Sequence, residues 1–152
     1  MGYIMELRKL VGSRPLIMAG ASVILIDKSD RILLQLRKDN NCWGLAGGSL
    51  EMGETLEEVA KRELQEETGL IANNLKLFNI FSGKEFYYKY PHGDEVYNVI
   101  TTYICTDYLG ELKIDNNEVK DLRFFSVDEI PTNISPPDLP IIKEFLRLSK
   151  II

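Results

Sequence analysis

Gly48-Ser-Leu-Glu51-Met-Gly-Glu54-Thr55-Leu-Glu57-Glu58-Val-Ala-Lys61-Arg62-Glu63-Leu64-Gln-Glu66-Glu67-Thr-Gly69-Leu70 is the segment from which fold and function are read. Thr55 followed three residues later by Glu58 has the form of a capping box and starts a helix at about Thr55. Gly69 stands where a left-handed residue closes such a helix. Leu56, Val59, Ala60 and Leu64 recur at helical spacing and form an apolar stripe. At roughly 100° per residue, Glu63, Glu66 and Glu67 continue that stripe, so all three carboxylates are expected to point inward. Glu57, Glu58, Lys61 and Gln65 fall on the opposite side, where Glu57–Lys61 and Glu58–Arg62 have the spacing of ion pairs.

The negative charge of the chain is concentrated here. Between Glu51 and Glu67 seven acids face only Lys61 and Arg62, a net charge of −5, which equals that of all 152 residues. Solvation accounts for Glu57 and Glu58. It does not account for Glu63, Glu66 and Glu67, because inward-facing carboxylates are costly, raise one another's pKa and sit at the negative end of the helix dipole. A hard divalent cation offsets all three penalties. Clustered oxygen donors suit Mg²⁺, which keeps several waters and completes its shell with phosphate. The preceding run from Trp43 to Gly53, with Gly44, Gly47 and Gly48, reads as a glycine-rich loop whose backbone can approach a ligand closely. Leading into a carboxylate helix, it makes a phosphate and metal cradle.

The segment resembles the Nudix box, Gly-x5-Glu-x7-Arg-Glu-(aliphatic)-x-Glu-Glu-x-Gly-(aliphatic). Gly48, Glu54, Arg62, Glu63, Leu64, Glu66, Glu67, Gly69 and Leu70 match its specified positions. Ala46 stands where many members have proline. The resemblance implies a pyrophosphohydrolase acting on a nucleoside diphosphate linked to another moiety, with Mg²⁺ or Mn²⁺. It implies that Glu63, Glu66, Glu67 and the carbonyl of Gly47 hold the metal, and that Arg62 orients Glu54 and the helix. The general base is left between Glu66, Glu67 and Glu118, the last in Asp115-Asn-Asn-Glu118. The chemistry agrees, since phosphoryl transfer depends on charge neutralisation and in-line positioning of water.

The rest of the chain reads as one domain over residues 1–152. No apolar run approaches the roughly 20 residues needed to cross a membrane. The first residues lack the apolar region of a signal peptide. Cys42 and Cys105 read as isolated thiols, fitting a reducing cytoplasm. A pI of about 5.0 argues against an extended nucleic-acid surface, while a nucleotide or an RNA 5′ end stays open. Residues 21–27 and 31–37 read as a hairpin around Lys28-Ser29-Asp30, with further strands at 75–81, 86–90, 95–106 and 122–125. A helix is expected over 137–150. Helices before and after mostly antiparallel strands predict an α/β fold, and the resemblance makes it a Nudix-like α/β/α sandwich with a mixed, largely antiparallel sheet. Residues 1–15 read as an added strand or a homodimer contact.

Substrate choice is less legible. The secondary signatures of NADH and coenzyme A pyrophosphatases are absent. The proline that follows the box by about sixteen residues in ADP-ribose pyrophosphatases is replaced by Phe86. Tyr87 and Tyr88 resemble the tyrosine placement of dinucleoside polyphosphate hydrolases, and equally suit a strand with one ring buried. Substrate contacts are therefore expected from Arg37, Gly47, Gly48 and Tyr87. Trp43, Phe81 and Tyr97 are core aromatics or base-stacking surfaces, and His92 reads as a turn residue. ADP-ribose, dinucleoside polyphosphates and modified nucleoside triphosphates are the candidate substrates. The alternative is a nucleotide-sensing module without turnover, which a degenerate box would favour; this box is intact.

Overall fold

Leu16-Ile-Met-Ala-Gly-Ala-Ser-Val-Ile-Leu25 ends in side chains that are apolar on both faces, so its strand needs cover on both sides. That requirement organises the molecule. The computed structural model describes residues 2–114 and 117–149. Asp115, Asn116 and the expected helix end at Lys150 lie outside the described residues. The elements run α1 (Tyr3–Val11), β1 (Leu16–Leu25), β2 (Ile32–Arg37), β3 (Trp43–Gly44), β4 (Ala46–Ser49), α2 (Leu56–Thr68), β5 (Ile71–Ala72), β6 (Lys76–Phe81), β7 (Tyr87–Lys89), β8 (Glu95–Cys105), β9 (Tyr108–Leu109), β10 (Val119–Phe125) and α3 (Leu139–Ser149).

β1 and β8 pair in parallel from Leu16–Val96 to Leu25–Cys105. β4 adds antiparallel to β1, and β6 and β7 add antiparallel to β8. A second sheet runs β10-β2-β3, antiparallel throughout, and β5 with β9 forms a small ladder. Val23 and Leu25 face α2, where Val59, Ala60 and Leu64 are fully buried. Ile24 faces the other way, into a core of Leu34, Trp43, Leu45 and Phe81 covered by Ile141 and Ile142 of α3. Each fully buried Val, Leu or Ile contributes about 1.5–3 kcal/mol. The expected α/β/α sandwich with a mixed, largely antiparallel sheet is therefore the observed one.

α2 begins as expected. Thr55 accepts from the Glu58 N–H at 3.1 Å while the Glu58 side chain accepts from the Thr55 N–H at 3.2 Å. Gly69 closes it at φ 80°, a left-handed conformation that a side chain would strain.

Three expectations are corrected. Residues 21–27 and 31–37 make the predicted turn, pinned by the Asp27 carboxylate on the N–H groups of Ser29 and Arg31. Past the Ile26–Ile32 bridge, however, β1 and β2 part into different sheets, because each is buried on both faces and takes its own partners. The glycine run is not all loop, since Ala46–Ser49 is strand β4, held against β1. Residues 3–11 form a helix rather than an added strand, with Ile4, Leu7 and Val11 at helical spacing and Gly12 closing it at φ 71°.

Candidate active site

The site forms where α2 ends against β4. Gly48 lies so close to Glu63 that a Cβ there would stand 2.5 Å from the carboxyl carbon, so any side chain at this position would push the carboxylate out of its place. The Gly47 N–H donates to Glu67 Oε2 at 3.0 Å, and the Gln35 side-chain amide donates to the same oxygen at 3.1 Å. Gln35 also donates to the Leu45 carbonyl at 3.3 Å, while its own Oε1 is buried without a partner. Glu67 is 5% exposed. Burial, and then the charge of Glu63, push its pKa well above the ordinary carboxylate value, against the pull of the Gly47 N–H, Arg37 and Gln35. Burial likewise raises Glu63, opposed by Arg62.

Arg62 ties the segment together. Its guanidinium holds Glu54 through two bonds of 2.7 and 2.8 Å and donates to Glu63 at 2.8 Å. Those bonds hold Glu54 below the usual carboxylate range. Arg62 is thereby drawn away from Glu58, the partner that helical spacing suggested, because Glu54 offers a bidentate pair and Glu58 is engaged in the cap. Glu57 accepts instead from the Tyr103 hydroxyl at 2.6 Å.

A cleft of about 610 Å³ opens in front of these groups. Arg37, Gly47, Gly48, Glu63, Glu67 and Glu118 all line it. Two expected site residues do not line it. Glu66 is exposed, with 57% of its side chain in solvent, 3.5 Å from Arg62. It stands at the edge of the helical stripe, where one more step of rotation reaches solvent. Tyr87 does not line the cleft. Its hydroxyl donates to Glu95 and its ring packs on Tyr97 at 5.2 Å. Strand alternation turns Tyr88 into the cleft instead. Trp43 and Phe81 are core residues, and Tyr97 is 43% exposed. His92, in its turn, stacks on Tyr90 at 5.3 Å and 8° at the cleft wall.

Arg37 donates to both oxygens of Asp39, at 3.0 and 2.9 Å, and keeps a third of its side chain exposed. The sequence reading missed Ser135 and Asp138, which line the cleft from the approach to α3. Asp138 Oδ2 accepts from the Leu45 N–H at 3.2 Å, and burial pushes its pKa up to about 6. An Asp just ahead of an apolar-periodic helix is a start signal, and it would have drawn attention to this residue.

Among the described residues, no three His, Cys, Asp or Glu side chains are already gathered as a metal-ligand group. Arg62 stands between Glu63 and Glu66, and Glu67 is turned onto Gly47 and Gln35. The donor chemistry nonetheless fits a hard cation: a buried carboxylate, Glu67, whose charge is disfavoured by the half-buried Glu63 next to it, and a third carboxylate, Glu66, on the same helix.

A mixed sheet between two helical layers, with a glutamate helix closing on a Gly-Gly strand, is matched by the NUDIX domain model over residues 16–145. The chain belongs to the Nudix family. It is similar to the ADP-ribose pyrophosphatase of Methanocaldococcus jannaschii, 35% identical over 127 residues that cover 81% of this chain and 70% of that protein. Among solved structures, the MutT mutator protein of Bacillus halodurans superposes with a TM-score of 0.68 at 30% identity, covering 85% of this chain and 82% of that one. The MutT Nudix hydrolase of Burkholderia pseudomallei shares the fold at a TM-score of 0.72 and 23% identity, with coverage of 84% and 97%. Within the family this chain is an enzyme, a Nudix pyrophosphohydrolase.

Proposed function

We propose that the chain hydrolyses the pyrophosphate bond of a nucleoside diphosphate linked to another moiety, using Mg²⁺ or Mn²⁺ held by Glu63, Glu66, Glu67 and the Gly47 carbonyl. The observation that carries this reading is the pair of carboxylates, a buried Glu67 and a half-buried Glu63, fitted against the Gly47–Gly48 backbone in the cleft. When bound, the cation polarises the phosphate and lowers the pKa of the attacking water. The chain's own groups supply the rest. Gly47 and Gly48 let the diphosphate approach the backbone, and the exposed part of Arg37 meets its charge. Gln35 holds the Glu67 carboxylate in one orientation. Arg62, fixed on Glu54, keeps Glu63 at the cleft. The proton of the attacking water goes to a carboxylate, Glu66, Glu67 or Glu118, of which Glu67 and Glu118 line the cleft.

The similarity to an ADP-ribose pyrophosphatase supports ADP-ribose as the first substrate to try, although Phe86 replaces the proline seen in that subclass. Among the described residues, no helix is long and apolar enough to cross a membrane. ADP-ribose, diadenosine tetraphosphate and oxidised dGTP, each with Mg²⁺ and with Mn²⁺, test the proposal. Turnover of one of them should be abolished by EDTA and reduced at least 100-fold in Glu67→Gln with the fold retained. Full activity of Glu67→Gln, or activity indifferent to EDTA, contradicts the assignment.

A further inference from the structure

Residues 3–11 lie ahead of the region matched by the family model, yet α1 supplies part of the cleft wall through Ile4, Met5 and Arg8. Arg8 neighbours both of the others on the helix surface, Ile4 at i, i+4 and Met5 at i, i+3. The helix is fastened at both ends by polar contacts rather than by a packed core. At its start the Tyr3 N–H donates to both oxygens of Glu51, at 3.0 and 3.1 Å. Toward its end Arg8, with only 9% of its side chain exposed, donates to the carbonyls of Gly12, Arg14 and Glu95 at 3.0, 2.6 and 2.6 Å. Its Nε stands 3.6 Å from Asp94. The Glu95 N–H completes the fastening on the Ser13 carbonyl at 3.2 Å.

Between these anchors α1 has no fully buried residue, and Met5 is 58% exposed although it lines the cleft. Ile4, Leu7 and Val11 are only half-buried, so α1 rests on the rim of the cleft without joining the core, and Met5 beside them is open to the cleft and to solvent. Tyr88 and Tyr90, whose rings meet edge-on at 4.9 Å, line the same space together with Met18 and Val96. The cleft thus offers two kinds of lining. The glutamates and the Gly47–Gly48 backbone supply one, and apolar and aromatic residues, those of α1 among them, supply the other, alongside the polar Arg8, His92, Asp94 and Asn98. A ligand that is a polyanion at one end and a flat ring at the other matches both kinds.

We propose that α1 forms the wall of the nucleobase subsite, with Met5 and Tyr90 as the residues that contact the base, so that an element outside the family domain sets this chain's preference for nucleoside-bearing substrates. This rests on the pyrophosphohydrolase reading for the position of the diphosphate, but it is tested by binding alone, so the two can fail separately. The probes are α,β-methylene-ADP and methylenediphosphonate, which share the diphosphate core and differ in the nucleoside, titrated calorimetrically with Mg²⁺ into wild type, Met5→Glu and Met5→Ala. Wild type should bind the nucleotide more tightly than the base-free probe. Met5→Glu should weaken the nucleotide about 5- to 100-fold, the range that loss of a base contact spans. Met5→Ala should weaken it less, and the base-free probe should bind all three proteins equally. An unchanged nucleotide affinity in both variants overturns the proposal. So does equal weakening of both probes, which would make α1 a structural support only, or a wild type that does not distinguish the probes.

Discussion

Glu67 shows how a single side chain records what a site is for. A carboxylate that is 5% exposed would ordinarily be removed or paired with a cationic side chain; here it receives one backbone and one amide hydrogen bond and faces another carboxylate. Gln35 is the neighbour that fixes its orientation, and the partnerless Oε1 of Gln35 is the cost of that arrangement. Replacing Gln35 with Leu fills a similar volume and removes the amide, both its donor to Glu67 and Leu45 and its partnerless acceptor. If Glu67 is a ligand, this change should weaken Mn²⁺ binding about 10–100-fold, read from the paramagnetic resonance signal of free Mn²⁺. Unchanged affinity would detach Gln35 from the cation site. Gln35 gave no signal in the sequence, where it is one polar residue in an apolar strand. Glu67 and Glu63 were legible because helical phase alone turns them inward. The same reasoning misplaced Glu66, whose phase lies at the border between stripe and solvent, where a few degrees decide.

At the scale of elements, α2 was the most readable part of the molecule, since its cap, stripe and closing glycine all act locally. The first hairpin was half readable: its turn is local chemistry around Asp27, but the partners of β1 and β2 are set by burial on both faces, which no short window reveals. β4 was hidden because a strand of Ala-Gly-Gly-Ser carries no strand propensity and exists only through its pairing with β1. The approach to α3 was hidden in another way, because Asp138 meets the cleft through long-range packing against Leu45. Its pKa of about 6 in the folded chain lies above the ordinary 3.8. Folding therefore favours its protonated form, so the ionised carboxyl costs stability fully above about pH 6 and not at all below about pH 4. Asp138→Asn should accordingly melt a few degrees higher than wild type at pH 7–8, at about 2–4 °C per kcal/mol. The gain should fade as the pH drops through 6 and vanish near pH 4. A difference that does not change with pH would show that the buried charge is not its source.

For the whole molecule, the division of labour is between a framework shared with the Nudix family and what surrounds it. The two cores, one under α2 and one under α3, hold β1 rigidly between them, and β1 in turn holds β4 and the glycine pair against Glu63 and Glu67. α1 then narrows the cleft from outside the matched region. Composition and motif made the framework legible, whereas the cleft's outer wall depended on residues far apart in sequence, Met5, Tyr90 and Asp138 among them. The most direct test of the central claim is the fate of oxygen during turnover. Hydrolysis of ADP-ribose, or of the fastest substrate in the panel, is run in ¹⁸O-labelled water and the products are weighed by mass spectrometry. Water attack on a pyrophosphate phosphorus splits the substrate at one P–O–P linkage, for ADP-ribose into AMP and ribose 5-phosphate, with one ¹⁸O in one of the two phosphate-bearing products. Cleavage at the glycosidic bond, products without label, or no turnover of any substrate in the panel would contradict it.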